Sequence, residues 1–328
     1  MGAEFEFIAD VRSRVGAPAG EGFLGIGDDC AVWRPTPGSD QLVTSDLLIE
    51  GVHFDPATIS LHELGAKALT VNISDIAAMG GQPRHAVLGL ALPGPPDAYR
   101  ALVEGFVAAA EAAGVVVVGG DTCASTGGIM LSVTVMGEVP EGGAVTRSGA
   151  RAGDRLFVTG SVGDSAAGLA LLSSGGEGLS ATAREILVAR HLRPTARVRE
   201  GIALGQTGAV SAMIDVSDGL SQDLGHILEE SGVGAVLEAD KIPLSDALCE
   251  YAEGAGLDPL EFALGGGEDY ELLFAVTPEK QEMVTRMMAD SGLAAIPIGR
   301  MTEAPGLRLS RDGREVALVA RGYEHFKS

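Results

Sequence analysis

The period of the hydrophobic pattern changes repeatedly along the chain, and this change restricts the fold more than any other feature. Residues 41–54 contain two short apolar runs, which predict two short strands around a polar pair. Residues 61–79 carry apolar side chains at the spacing of an amphipathic helix. The same alternation of strand-like and helix-like segments continues beyond residue 150. The sequence therefore predicts an α/β (α+β) fold of two domains.

A polar segment punctuated by glycines separates the two halves of the chain. This segment, "TRSGARAGDRLFVTG" at residues 146–160, interrupts the pattern before a new apolar strand begins. It predicts a boundary near Ser148, between an N-terminal domain (residues 1–147) with a mixed sheet and helices and a C-terminal α/β domain (residues 148–328). A chain of 328 residues with 46% hydrophobic content can fill a core in each domain.

The charge of the chain limits its partners. The formal net charge is -22, and the lysines are Lys67, Lys241, Lys280 and Lys327. Binding of a nucleic-acid backbone requires clustered Lys and Arg, so we expect no nucleic-acid partner. If the protein handles a phosphorylated ligand, divalent cations held by carboxylates are better placed than lysines to neutralise it.

The cysteines and the apolar runs give expectations about location. Cys30, Cys123 and Cys249 have neither zinc-site nor disulfide spacing, which favours a reducing cytoplasm. The sequence has no unbroken apolar stretch of about 18 residues, and its first residues lack a leader pattern. We therefore expect a soluble, cytoplasmic protein with no membrane partner.

Six acidic stretches place one or two carboxylates beside glycine or a small residue: GIGDD, TSD, NISD, GGDT, IDVSDGL and GGEDYEL. Taken singly, each is typical of a cap or a turn: Asp218 could cap a helix, and Asp121 could end a strand. Taken together, they favour a polynuclear Mg²⁺ site, because Mg²⁺ prefers oxygen ligands and cations relieve the repulsion between carboxylates. Asn72 and Asp75 share one face of a predicted helix. Both interpretations stay open at this point.

Several motifs that are typical of nucleotide binding or of hydrolysis are missing from the sequence. There is no GxxxxGK[ST], no GxGxxG opening a helix, and no HRD or DFG, which excludes the P-loop and protein-kinase mechanisms. A phosphotransferase would then rely on Mg²⁺ and Arg147. No GxSxG or cysteine nucleophile motif supports a hydrolase. His53 follows an acidic segment and either contacts a ligand or has a plain surface or packing role, whereas His85, His191 and His226 are interpreted as structural.

Taken in order, these stretches resemble the thiamine-monophosphate kinase family, which belongs to the superfamily of aminoimidazole ribonucleotide synthetase and selenophosphate synthetase. The resemblance runs almost end to end, through GIGDDCAV, TSDLLIEGVHF, KALTVNISDIAAMGGQP, GGDT, TRSGARAGD, VTGSVGDSAAGLALL, RHLRPTARV, IDVSDGLSQDLGHI, LGGGEDYELLF and GYEHF. Any one of these motifs is weak evidence. All of them in the same order are specific.

The resemblance implies transfer of the γ-phosphoryl group of ATP, the co-substrate, onto thiamine monophosphate with several Mg²⁺ ions. The implied metal ligands are Asp29, Thr44, Ser45, Asp46, Asp75, Asp121, Asp215 and Asp218, with Asp28 as a further candidate. The implied ATP contacts are Gly120, Asp121, Arg147 and Ser217, and the implied thiamine contacts are His53, Glu268 and Tyr323. No catalytic side chain is implied, because the acceptor is already a phosphate dianion and needs little or no general base.

The resemblance also implies a homodimer. Residues 1–147 would bind ATP and Mg²⁺ and pair with the twin domain, and residues 148–328 would complete the active site. Some relatives carry a nucleotide-contacting tyrosine before GGDT, where this chain has AAEAAGVVVV, which argues against an adenine contact there. Two alternatives are a related ATP-dependent synthetase with another acceptor and a non-catalytic nucleotide- and Mg²⁺-binding assembly protein. The absence of cysteine from residues 1–20 argues against a selenophosphate synthetase.

Overall fold

The structure is a computed structural model that describes residues 3–15, 23–26, 30–175 and 178–323. The chain forms two compact units. The first comprises Met1–Ile76 and Gly81–Gly142, and the second comprises Ala77–Gly80 and Gly143–Ser328. No helix among the described residues is long and apolar enough to cross a membrane.

The first unit is built on a four-stranded sheet. Its elements are α1 (Ala3–Val15), β1 (Ser39–Ile49), α2 (Leu61–Ala78, whose last two residues belong to the second unit), β2 (Gln82–Leu92), α3 (Arg100–Ala113), β3 (Val116–Ala124) and β4 (Met130–Pro140). The strand order is β1-β4-β2-β3, in which β4 is antiparallel to both neighbours and β3 is parallel to β2. The sheet is therefore mixed, and β1 and β3 are its two edges.

The two faces of this sheet differ in burial. Along β4, Leu131, Val133 and Val135 are fully buried, and α2 packs on their face of the sheet. The alternate residues point to the other face, where Val43, Leu47 and Met130 are exposed by 68%, 51% and 39%. Because side chains alternate along a strand, each position of β1 belongs either to the helix-covered face or to this outward face.

The prediction of two strands within residues 41–54 was wrong, because β1 is one continuous strand of 11 residues. Its ladder with β4 runs without interruption from Ser39 opposite Pro140 to Ile49 opposite Met130. The polar residues in its middle do not break it, because the hydroxyl of Thr44 and the backbone N–H of Asp46 donate hydrogen bonds to polar side chains of α2 on the covered face.

The second unit contains a seven-stranded sheet with helices. Its elements are β5 (Arg155–Val158), α4 (Asp164–Ser174), α5 (Ala181–Leu192), α6 (Val198–Gln206), β6 (Val210–Asp215), α7 (Leu220–Ser231), β7 (Gly234–Glu238), α8 (Asp246–Ala255), α9 (Pro259–Gly265), β8 (Leu272–Val276), α10 (Gln281–Asp290), β9 (Ile296–Thr302), β10 (Gly306–Arg311) and β11 (Arg314–Ala317). The order is β11-β10-β7-β9-β5-β8-β6, and the only parallel pair among the described strands of this sheet is β7 with β10.

The segment Ala77–Gly80 belongs to the second unit, although it follows directly on the part of α2 in the first. Ala78 lies in a core cluster with Phe157, Leu204 and Met213. A Cβ atom on Gly201 would lie 2.2 Å from the carbonyl oxygen of Ala77. The end of α2 is therefore a closely packed part of the second unit.

Candidate active site

Four polar side chains of β1 and α2 form a first-unit cluster: Thr44, Asp46, Asn72 and Asp75. The hydroxyl of Thr44 donates to Asp75 Oδ2 at 2.5 Å. The backbone N–H of Asp46 donates to Asn72 Oδ1 at 3.0 Å, and the amide of Asn72 donates to the carbonyl of Ala68 at 3.0 Å. Thr44 and Asp46 share the covered face of the sheet, because they are two residues apart in one strand.

The first-unit cluster has the charge and the atoms of a cation site. Burial, followed by the nearby charge of Asp75, raises the pKa of Asp46 to about 6. Two carboxylates in a half-buried place repel each other, and a divalent cation would relieve that repulsion. The donors are carboxylate, hydroxyl and amide oxygens, which are the ligands that Mg²⁺ prefers. The residues present therefore fit Mg²⁺.

Two of the predicted ligands in the first unit lie on the other face of the sheet. Ser45 alternates with Thr44 and points outward, where its hydroxyl donates to the Val133 carbonyl at 3.1 Å and contacts Thr134 Oγ1 at 3.0 Å. Asp121 is exposed and lies within β3, opposite Gly89, rather than at the strand end. The pairing register places Asp121 on the outward face as well. The structure does not place Ser45 and Asp121 within the first-unit cluster.

Gly120 precedes Asp121 at a place where the backbone is crowded. A Cβ atom at this position would lie 2.2 Å from the carbonyl oxygen of Leu88, whereas one at Gly119 would have no atom within 4 Å. Gly120 is therefore needed for the close approach of β3 to β2, independently of any contact with a nucleotide.

His53 follows β1 and is half-buried. Its Nδ1 accepts a hydrogen bond from the backbone N–H of Ile49 at 3.0 Å. Because Nδ1 is the acceptor, the neutral ring carries its proton on Nε2. The predicted ligand Asp29 and the further candidate Asp28 lie outside the described residues.

In the second unit, the end of β6 and the loop between β6 and α7 carry three predicted site residues: Asp215, Ser217 and Asp218. Asp215 ends β6 and is buried. Asp223 Oδ2 accepts from the backbone N–H groups of Ser217 at 3.1 Å, Asp218 at 3.1 Å and Gly219 at 3.0 Å. The N-cap of α7 is Gly219, and Asp218 does not occupy that position. Asp223 therefore shapes the loop that presents Ser217 and Asp218.

The carboxylates around this loop repel one another. Burial, followed by the charges of Asp215 and Asp218, raises the pKa of Asp223 to about 8, although two backbone N–H donors oppose this shift. Ligand atoms of Asp218, Asp223 and His226 lie within 4.8 Å of one another. Asp223 is not among the site residues predicted from the sequence, and His226 is predicted there to be structural. The signal that could have revealed Asp223 is its position in the first turn of the helix that follows the SDG segment.

Glu268 and Tyr323 are brought to the same loop. The N–H of Glu268 donates to the Ser217 carbonyl at 2.7 Å, and the N–H of Tyr323 donates to the Asp218 carbonyl at 3.2 Å. The chain before Tyr323 is fixed by Ser221, whose hydroxyl donates to the carbonyl of Arg321 at 2.9 Å and accepts from its N–H at 3.0 Å. The second unit therefore gathers a second-unit cluster of Asp215, Ser217, Asp218, Asp223, Glu268 and Tyr323.

A buried network of charges supports the segment that follows Glu268. Glu271 is fully buried and accepts from Arg197 Nε at 2.7 Å and from the hydroxyl of Thr159 at 2.6 Å. Asp269 accepts from the N–H groups of Gly163 at 2.5 Å and Ser165 at 3.1 Å. Burial raises the pKa of Asp269 to about 8.

Arg147 lies at the other end of α7. Its side chain is exposed, and its carbonyl accepts from the hydroxyl of Ser231, the last residue of the helix. A helix rises about 1.5 Å per residue, so Ser231 is roughly 16 Å from Leu220 along α7. The structure therefore does not place the backbone of Arg147 near the second-unit cluster.

Comparison with known families accounts for both units. The AIR synthase related protein, N-terminal domain, matches residues 27–139, and the AIR synthase related protein, C-terminal domain, matches residues 151–312. The chain therefore belongs to the AIR synthase related family and, within it, to the family of thiamine-monophosphate kinases, as its individual relatives make clear. The family predicted from the motifs and the mixed α/β fold are thereby confirmed.

The relatives match the chain over nearly its whole length. Thiamine-monophosphate kinase of Salmonella typhimurium is 39% identical over 98% of each chain. The crystal structure of thiamine-monophosphate kinase from Stenotrophomonas maltophilia K279a is 38% identical, with a TM-score of 0.83, and covers 95% of this chain and 97% of its own. A structure of AaThiL complexed with AMPPCP and TMP is 36% identical, with a TM-score of 0.78, and covers 98% and 97%.

Proposed function

We propose that this protein transfers the γ-phosphoryl group of ATP to the phosphate of thiamine monophosphate, forming thiamine diphosphate and ADP. The observation that carries this proposal is the full-length similarity to thiamine-monophosphate kinases. AaThiL, which is similar over 98% of this chain, is complexed with AMPPCP and TMP. AMPPCP mimics ATP, so the two ligands correspond to the phosphoryl donor and the acceptor of this reaction.

We propose that several Mg²⁺ ions assist the transfer and that the carboxylates of each cluster are ligands of such ions. In the first unit, Thr44, Asp46 and Asp75 would serve together with Asp29. In the second unit, the ligands would be Asp215 and Asp218. Ser45 and Asp121 remain further candidates on the outward face of the first sheet. When bound, Mg²⁺ neutralises phosphate oxygens and orients the transferred group.

The proposed roles of the other residues follow from their chemistry. Gly120 lets the backbone of β3 come close to a phosphate, Ser217 offers a hydroxyl beside the carboxylates, and Arg147 offers an exposed positive charge. Glu268, Tyr323 and His53 would contact the thiamine moiety, whose thiazolium ring is cationic and whose aminopyrimidine donates hydrogen bonds. No protein nucleophile is required, because the acceptor phosphate is itself the nucleophile.

We further propose that the protein is a homodimer that pairs through the outward face of the first sheet. Val43 and Leu47 expose 68% and 51% of their surface there, and they lie on one strand with the same orientation. Met130, exposed by 39%, lies diagonally across from Leu47 on β4. Exposed apolar side chains that neighbour one another on a sheet face are typical of an interface. A cytoplasmic location is proposed as well, supported by three cysteines that are free and exposed.

The proposal is tested by incubating the protein with ATP, Mg²⁺ and thiamine monophosphate and measuring thiamine diphosphate by chromatography. We expect one thiamine diphosphate for each ADP, and no product with EDTA or with thiamine in place of its monophosphate. ADP without thiamine diphosphate would instead favour a synthetase with another acceptor. Thermal stabilisation by ATP and Mg²⁺ with no turnover would favour a non-catalytic nucleotide-binding protein.

A further inference from the structure

Glu268 contacts a buried histidine, His191, for which the sequence predicts only a structural role. His191 lies in α5 and is 6% exposed. Its Nδ1 is 3.1 Å from Glu268 Oε2 and 3.1 Å from the hydroxyl oxygen of Ser165. An ionised carboxylate can only accept a hydrogen bond, so Nδ1 carries the proton in this contact. His191 is therefore a hydrogen-bond donor to Glu268.

The backbone of Glu268 is fixed independently of its side chain. Its φ is 66°, in the left-handed region that residues other than glycine adopt at a cost. The hydrogen bond from its N–H to the carbonyl of Ser217, at 2.7 Å, holds this conformation. Ser217 fixes the backbone of Glu268, and His191 contacts its carboxylate. Glu268 is therefore restrained both at its backbone and at the end of its side chain.

The surroundings of His191 restrain the ring in turn. Ser165 is fully buried, and its N–H donates to Asp269 Oδ1 at 3.1 Å. One turn earlier in α5, Leu187 is fully buried in a core cluster. A histidine placed only to fill the core would leave its buried Nδ1 facing apolar neighbours, whereas this Nδ1 lies between two polar oxygens.

We propose that His191 is a positioning residue, which holds the carboxylate of Glu268 in the orientation that receives the thiamine moiety of the substrate. This inference rests on the proposed function, because it assigns a support to one of its substrate contacts. In this role His191 acts through Glu268, a proposed thiamine contact, and not on ATP or on the reacting phosphates. Its loss therefore weakens recognition of thiamine monophosphate and leaves recognition of ATP unchanged.

The test compares His191→Ala with His191→Asn. Asparagine places an amide N–H near the position of Nδ1 and can restore the donor. We expect His191→Ala to raise KM for thiamine monophosphate roughly tenfold, since hydrogen bonds to charged groups are among the stronger ones, with KM for ATP unchanged. His191→Asn should recover most of this loss. An unchanged KM for thiamine monophosphate in an active His191→Ala enzyme would overturn the proposal.

A double-mutant cycle with Glu268 separates positioning from packing. If His191 acts through Glu268, then His191→Ala should have no further effect on KM in a Glu268→Ala background. Independent, multiplicative effects would contradict the proposal. Leu187→Ala is the matched control for lost packing in α5: it should lower Tm without a selective change in KM for thiamine monophosphate. Failure of the wild-type enzyme to form thiamine diphosphate would instead overturn the proposed function.

Discussion

Asp75 is the residue at which the structural and chemical roles of the first-unit cluster can be separated. Asparagine at this position would still accept the hydrogen bond from Thr44, but it would remove the charge that a cation requires. We expect Asp75→Asn to lower turnover at least about a hundredfold and to change the free energy of unfolding by only about 0.5 kcal/mol. Steady-state kinetics measures the turnover, and urea unfolding measures the free energy of unfolding.

The matched control for Asp75→Asn is Asp97→Asn. Asp97 is also in the first unit, and its side chain is 59% exposed in an ion pair with Arg100. This control should retain full turnover, because an exposed ion pair contributes little. Normal turnover in Asp75→Asn would contradict its assignment as a metal ligand.

Asp269 makes the stability of the protein depend on pH. Burial raises its pKa from 3.8 to about 8, so between these values the folded form holds a proton that the unfolded form has lost. The contribution of Asp269 to the stability of the folded protein is fully present below pH 3.8. It is lost as the pH rises through about 8. We expect the wild type to lose stability relative to Asp269→Asn by up to about 1.4 kcal/mol per pH unit within this window.

The measurement for Asp269 is urea unfolding of both proteins from pH 5 to pH 9. The difference between them isolates Asp269, because asparagine is close in shape to the protonated side chain and does not titrate. A difference that stays constant across this range would show that the pKa of Asp269 is not raised.

At the level of single residues, the sequence predicts which residue types can serve in the site, but it does not predict the direction in which each side chain points. The order of the acidic motifs is sufficient to identify the family. Whether the side chain of Ser45 points to the covered or the outward face depends on which alternate residues of β1 are buried. The structure shows that Leu42 and Leu48 are buried, so Ser45 points outward. His191 acquires its role from Glu268, which is far away in the chain, so its local sequence could not reveal it. Asp223 offers one local signal, its position in the first turn of α7.

The close contact of β2 with β3 gives a prediction at the level of elements. Gly120→Ala would place a Cβ atom 2.2 Å from the Leu88 carbonyl, so the strands must separate. We expect a loss of about 1–3 kcal/mol in the free energy of unfolding. Gly119→Ala is the matched control, because its Cβ would meet no atom within 4 Å. Equal stability of the two variants, measured by urea unfolding, would contradict the crowding of β3.

Most elements could be predicted from hydrophobic period, and the exceptions have physical reasons. The polar residues at the centre of β1 resemble a break between two strands in the hydrophobic pattern. Their hydrogen-bond partners are side chains of α2, which lie outside the local sequence of β1. Helices α8 and α9 were not predicted, although both have cap signals in the sequence. Ser245 accepts from the N–H of Leu248, and Asp258 accepts from that of Leu260, with Pro259 at the first turn.

At the level of the whole molecule, the outward face of the first sheet gives a prediction about assembly. Leu47→Asp would place a charge in the proposed interface, where it would be buried without a partner. We expect the wild type to have twice the mass of one chain by light scattering and Leu47→Asp to have the mass of one chain. Leu257→Asp in the second unit is the matched control, since Leu257 is also 51% exposed, and it should stay dimeric. A monomeric wild type would contradict this interface.

The packing of Ala77–Gly80 in the second unit limits how such proteins can be divided. Division of the gene between the codons for residues 142 and 143 would leave Ala77–Gly80 in the N-terminal fragment, although this segment belongs to the second unit. The second half, expressed alone, would lack Ala78 from its core and would expose the surface around Gly201 that the end of α2 covers. The two halves are therefore not interchangeable modules, and recombination between relatives should preserve stability only when the end of α2 is exchanged together with the second half.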